Sequence, residues 1–177
     1  MIGKSVGYAL CGSYCTYDKA IGALEKLCGI YDSVTPIMSE NAYKTDSRFG
    51  TARSFIEKIE GFTGRKIVST ITDAEPFGPK ALLDILVIAP CTGNTIAKLA
   101  SGITDTSVTM AAKAHLRNSR PILIAVSTND GLSGNASNVG ALLGRKNVYF
   151  VPFYQDDPLK KPCSIMERNP GNGPAAI

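Results

Sequence analysis

Short apolar runs alternate with stretches whose apolar residues recur every three or four positions. The clearest runs are residues 6–10, 85–89 and 121–126, with shorter ones at 33–38, 67–71 and 147–152. Continuous β-branched runs of this kind fit strands buried on both faces of a parallel sheet. Between them, Ala20, Ile21, Leu24, Leu27 and Cys28 share one helical face, as do Phe55, Ile56 and Ile59. Further helices are predicted over 108–116 and 136–143. Pro36 makes the 33–38 strand either irregular or near an edge, because proline cannot donate to a sheet ladder. The alternation predicts one α/β sheet, doubly wound, with helices on both faces.

The stretch 84–105 organises the rest. Its apolar run is expected to end at Pro90. Cys91, Thr92, Gly93, Asn94 and Thr95 then form a tight polar loop. A helix is predicted from about Thr95, with Ile96, Leu99 and Ile103 inward and Gly102 as its stop. Three other strand ends carry similar chemistry: Gly12, Ser13 and Thr16 after the first, Ser39 after the second, and Ser127, Thr128 and Asn129 after the run at 121–126. In a parallel sheet these carboxyl ends lie along one edge, where ligands bind. Hydroxyls, amides and helix N-termini suit a phosphate and a polar ring system. The glycine spacing matches neither a dinucleotide fingerprint nor a phosphate-binding Walker loop.

Composition narrows the classes. The chain has 177 residues, with 44% hydrophobic, 19% charged and a net charge of +4. Its basic residues are dispersed without interleaved aromatics, which gives no nucleic-acid footprint. No run approaches the roughly 18 apolar residues of a membrane span. Five scattered cysteines show no metal-ligand spacing, so no metal site is expected, and reduced thiols in a cytoplasmic setting are. Cys11 and Cys15 are read as such a reduced pair and Cys91 as a packing residue. His115, the single histidine, lies far from every polar loop and reads as a surface or helix-packing residue rather than an acid–base group. Arg48 is a candidate partner for a substrate carboxylate. Residues 155–177 are rich in proline, glycine and charge, and are expected to pack loosely.

The segment Ala89-Pro90-Cys91-Thr92-Gly93-Asn94-Thr95-Ile96-Ala97-Lys98-Leu99-Ala100, followed by Gly102-Ile103-Thr104-Asp105, resembles the flavoprotein family of homo-oligomeric, flavin-containing cysteine decarboxylases. Gly12-Ser13 agrees with it. Thr45-Asp46-Ser47-Arg48-Phe49-Gly50, Ala74 to Lys80 and Pro152 to Pro158 narrow the resemblance to a branch from spore-forming bacteria. It extends to about Glu167, which implies one domain over 1–167 and a flexible tail over 168–177.

The resemblance implies a Rossmann-like, flavodoxin-type three-layer sandwich with a mainly parallel sheet. It also implies a trimer-based homo-oligomer, up to a dodecamer, with FMN bound by Gly12, Ser13, Thr16, Ser39, Thr92, Asn94, Thr95, Ser127 and Thr128. The branch implies oxidation of a dihydrodipicolinate-type intermediate to pyridine-2,6-dicarboxylate in the mother-cell cytoplasm of a sporulating bacterium. A separate A subunit would bring NADP, and Arg48 and Asn129 would hold the small dicarboxylate substrate. Relatives of the same fold are flavin-dependent decarboxylases and flavin prenyltransferases; a non-catalytic flavin-binding partner is the third class. The decarboxylases share a catalytic histidine and a PxMNxxMW segment, of which this chain keeps only Asn129.

Overall fold

The computed structural model describes residues 2–168. Four parallel strands make the centre: β1 (Ile2–Leu10), β2 (Tyr31–Met38), β3 (Ile85–Cys91) and β4 (Ile122–Thr128). They lie in the order β2-β1-β3-β4, and β5 (Val148–Phe150) pairs parallel with β4. Strand order reverses direction between β1 and β3, the crossover position where an open α/β sheet forms a crevice. β2 is an edge strand, so Pro36, opposite Tyr8, costs no ladder bond on its outer side.

Helices cover both faces. On one side α1 (Tyr17–Cys28), α2 (Glu40–Lys44) and α3 (Ala52–Thr63) pack on Val6, Tyr8 and Leu10. In α1 the buried residues Tyr17, Ala20, Ile21 and Leu24 fall at helical spacing and make the inward stripe. On the other side α4 (Ile71–Ala74), α5 (Gly93–Ser101), α6 (Ser107–Leu116) and α7 (Ala136–Leu143) enclose the larger core, with Leu86, Ile88, Ile122 and Ile124 at its centre. This is the mainly parallel three-layer arrangement that the alternation predicts.

Several details differ from expectation. α5 opens at Gly93 rather than at about Thr95, and Ile103, expected on its inner face, is exposed. Residues 67–71 do not form a strand: Val68 makes a single bridge to Ile37, and Ile71 already opens α4. Pro90 does not end β3. The ladder to β4 shifts register between Ile88 and Cys91, so Pro90 sits where no regular donor is needed, and its carbonyl accepts from Cys11 N at 3.1 Å. The largest difference is at the C-terminal end. The stretch from Gln155 to Glu167 is not loose: β6 (Phe153–Asp157) and β7 (Lys161–Glu167) form an antiparallel hairpin. β7 joins the sheet by pairing Met166 and Ile165 with Ser127 and Thr128 of β4. The proline and charge content that marks this stretch as loose belongs to an exposed two-stranded ribbon, anchored by Ile165, which is 2% exposed. The expected flexible tail falls, beyond Arg168, outside the described residues.

Of the surface and packing roles open to it, His115 takes the packing one. It is 1% exposed, and its Nε2 lies 3.0 Å from Pro121 O. Burial holds its pKa below the ordinary histidine range. The unfolded chain therefore takes up the proton first, and the neutral form's stability is complete above about pH 6.5 and lost as pH falls below it. His115→Gln, which preserves a donor to Pro121 O, is expected to flatten this dependence. Urea midpoints at about pH 7.5 and 5.5 check it; an equal drop in both proteins would show that His115 does not titrate on unfolding.

Candidate functional site

The carboxyl ends of β1, β3 and β4 meet at two adjoining grooves. Each is about 750–760 Å³, and they share Gly12, Tyr14, Thr92 and Asn94 as a common wall. The link across the sheet is direct. Ser13 Oγ after β1 lies 3.0 Å from Ser127 Oγ in β4, although 114 positions separate them in sequence. The convergence expected from four separate polar loops is present in the fold.

The central loop works through helix capping. Thr92 is the N-cap of α5, and its hydroxyl accepts from Thr95 N at 3.3 Å. The N–H groups of Gly93 and Asn94 have no intrahelical acceptor and stand at the positive end of the helix dipole. Gly93 has no room for a side chain. A Cβ there would lie 2.6 Å from Asn135 Nδ2, Asp130 Oδ1 and Thr128 Oγ1. Gly102 closes α5 with φ +72°, which favours glycine, so the expected stop is in place.

The first groove lies between this loop and the end of β2. Ser39 caps α2 there, accepting from Ala42 N at 3.4 Å. Its charged walls are internally committed: Glu40 accepts from Ser107 N at 3.0 Å, and Lys98 pairs with Asp105 at 2.9 Å. The second groove runs from Ser13 across Ser127, Thr128 and Asn129, with Arg48 on its outer side and Ile165 and Met166 from β7 as its far wall. Thr128 Oγ1 donates to Asp130 Oδ1 at 2.5 Å and Asn135 Nδ2 to Asp130 Oδ2 at 2.7 Å, which fixes the β4 loop.

The predicted residues divide into two kinds. Gly12, Ser13, Asn94, Ser127 and Asn129 line the grooves, and Arg48 is exposed at the outer side of the second. Thr16, Thr92, Thr95 and Thr128 also border them, but their hydroxyls are engaged in holding the loops. Thr16 Oγ1 donates to Ser13 O at 2.9 Å, and Thr95 Oγ1 to Cys11 Sγ at 3.3 Å. Cys11 is buried beside Cys91 and is not paired with Cys15, which is exposed. The neighbouring Cys91 thiol and Thr95 hydroxyl hold the Cys11 thiol below the ordinary range, and burial pushes Cys91 well above it. Tyr14, Lys19, Asp130 and the hairpin residues were not legible as site residues. Tyr14 was marked only by its place between Ser13 and Thr16, and the hairpin joins the site by a long-range antiparallel pairing that no local pattern signals.

A flavin mononucleotide suits what these residues offer. The α5 N-terminus and the Ser13–Ser127 hydroxyls supply neutral donors for a phosphate, and a groove of about 750 Å³ with Tyr14 on its wall admits a flat polar ring. Among the described residues there is no group of three His, Cys, Asp or Glu side chains placed to hold a metal ion, and no helix is long and apolar enough to cross a membrane.

Comparison with known proteins places the chain. It is 45% identical over 166 residues, 94% of its length and 83% of the relative's, to the B subunit of dipicolinate synthase from Bacillus subtilis. The crystal structure of the corresponding dipicolinate synthase B chain from Bacillus halodurans superimposes with a TM-score of 0.85 at 45% identity, over 94% of this chain and 85% of that one. The FMN-dependent cysteine decarboxylase SpaF has the same fold, with a TM-score of 0.68 at 22% identity over 93% and 90% of the two chains. The sequence profile described as Flavoprotein matches residues 2–153, and with these relatives it shows that the chain belongs to the Flavoprotein family.

Proposed function

We propose that this chain is the flavin-binding B subunit of a two-subunit dipicolinate synthase, which oxidises a dihydrodipicolinate-type intermediate to pyridine-2,6-dicarboxylate. The observation that carries the reading is the 3.0 Å contact of Ser13 with Ser127, which puts a hydroxyl pair beside the α5 N-terminus on the lining of the second groove. It is supported by the family and by the 45% identity to the Bacillus subtilis protein. The partner is an A subunit that brings NADP. The B chain itself assembles as a trimer-based homo-oligomer, and the setting is the mother cell during sporulation.

In this reading Gly12, Ser13, Thr92, Asn94 and Ser127 hold FMN, with Ser39, Thr16, Thr95 and Thr128 fixing the loops that present them. A bound flavin would supply a two-electron acceptor for the substrate ring. Arg48 and Asn129 orient the substrate carboxylates, so that the ring lies flat in the second groove. Ile165 and Met166 exclude water from one side of it. Aromatisation takes two electrons and two hydrogens from the substrate, a hydride equivalent that the acceptor would take up and a proton that would leave to solvent at the groove mouth. The decarboxylase alternative lacks its base here, since the only histidine is buried against Pro121 on a helix that lines neither groove through it.

Asn94→Ala is expected to weaken FMN binding about tenfold, the worth of roughly 1.4 kcal/mol. FMN fluorescence titration measures it, alongside dipicolinate formation by A and B subunits together and apart. Dipicolinate formation that proceeds at full rate with the A subunit alone would overturn the reading.

A further inference from the structure

The second groove has five charged side chains on its lining, and three of them are already engaged. Asp130 is bonded by Thr128 and Asn135. Asp156 is paired with Lys161 Nζ at 2.8 Å across the β6–β7 hairpin. The two that remain, Lys19 and Arg48, make no ion pair among the described residues. They come from separate supports. Lys19 is in the first turn of α1, and Arg48 is in the loop between α2 and α3. Glu167 of β7 is the acid whose carboxyl feels the charge of Lys19, and burial raises its pKa above the ordinary carboxylate range. Arg48 lies over the Phe49 ring at 4.9 Å, and Phe49 is 48% exposed at the groove edge. The groove thus presents two cations without an ion-pair partner, an apolar aromatic platform beside one of them, and the polar side chain of Asn129 on the same lining.

We propose that this groove is built for a dianion, with Lys19 and Arg48 each binding one carboxylate of a flat aromatic dicarboxylate. Lys19 is thereby a specificity residue additional to Arg48 and Asn129, and the proposal rests on the oxidase reading for the identity of the ligand. A monocarboxylate uses one cation and leaves the other without a partner, so discrimination comes from the second charge rather than from the ring. Inorganic phosphate carries a similar charge but cannot span two supports.

The test is calorimetric titration of the purified full chain, with a chelator present, using pyridine-2,6-dicarboxylate, pyridine-2-carboxylate and inorganic phosphate. The dicarboxylate is expected to bind about tenfold or more tightly than either of the others. Lys19→Met and Arg48→Met are each expected to bring it down to the level of the monocarboxylate, and Lys19→Arg to restore much of the preference, which a merely structural role for Lys19 would not do. Both side chains are exposed, so the variants are expected to fold, and far-ultraviolet circular dichroism with a thermal midpoint serves as the check. Equal affinity of the wild type for the mono- and dicarboxylate, or a preference that survives in either Met variant, overturns the proposal and leaves the flavin reading standing. No binding of the dicarboxylate at all removes both this proposal and the oxidase reading. A preference that behaves as expected in a chain that binds no FMN upholds the proposal and removes the flavin.

Discussion

Leu86→Ala is expected to cost about 3–5 kcal/mol of folding stability, near the top of the range for a leucine truncated in a core. Leu86 has no exposed surface and stands in the middle of the sheet, opposite Gly7 of β1 on one side and Ile122 of β4 on the other. It fills space that β1 gives up. A Cβ placed on Gly7 would lie 2.9 Å from Leu86 Cδ1 and 2.6 Å from Leu83 Cδ1. The surrounding strands are hydrogen-bonded on both sides, so the sheet cannot collapse into the void. The same fit makes Gly7→Ala costly by overpacking, about 1–3 kcal/mol. The double variant is the sharper measurement: it is expected to be less destabilised than the sum of the two by about 0.5–3 kcal/mol. Denaturant midpoints at one protein concentration give all three values. Strict additivity would show that Leu86 does not occupy the glycine's space.

Gly93→Ala is the second large effect, and it acts on the site more than on the core. The new methyl would fall 2.6 Å from three polar atoms, Asn135 Nδ2, Asp130 Oδ1 and Thr128 Oγ1, that already bond one another. Either α5 backs away from β4 or the Asp130 network opens. Both movements displace the wall between the two grooves. A donor moved off a charged phosphate forfeits about 1.5–3 kcal/mol, so FMN affinity is expected to fall by about tenfold to a hundredfold. Folding stability is expected to fall by only about 1–3 kcal/mol. Titrating FMN at a temperature where the variant is fully folded separates the two effects. Wild-type affinity in a folded Gly93→Ala protein would mean that the flavin does not lie against the start of α5.

The parts of this molecule that were legible in the sequence are those written in local pattern. β1, β3 and β4 appear as continuous apolar runs because both faces of each strand are covered, and α1 and α5 appear through their inward stripes and, for α5, through Gly102 at its end, whereas its start, capped by Thr92, lies earlier than the expected Thr95. The site was legible as a set of strand ends because parallel topology forces Ser13, Thr92 and Ser127 to one edge. What escaped depends on partners distant in the chain. Val68 is apolar in the manner of a strand residue, yet one bridge to Ile37 is all the edge of β2 takes up. The hairpin escaped because its outer positions are charged and its pairing with β4 spans nearly 40 residues. Thr95 was legible as a polar loop residue but not as a donor to Cys11, since that contact joins positions 84 apart.

The antiparallel seat of β7 on β4 gives the site an order of assembly. Synthesis runs from the N-terminus, and domains begin to form as the chain emerges. The strand ends that carry Ser13, Ser39, Thr92 and Ser127 are all made before residue 130, so the proposed phosphate cradle can form while the wall from Ser164 to Met166 has yet to be translated. A chain halted before β7 would hold the parallel sheet and one groove but would lack the surface that shuts the other. Ribosome-bound intermediates of increasing length would show FMN capture before dicarboxylate capture, a sequence of gains in time that mirrors the arrangement of the two grooves in space.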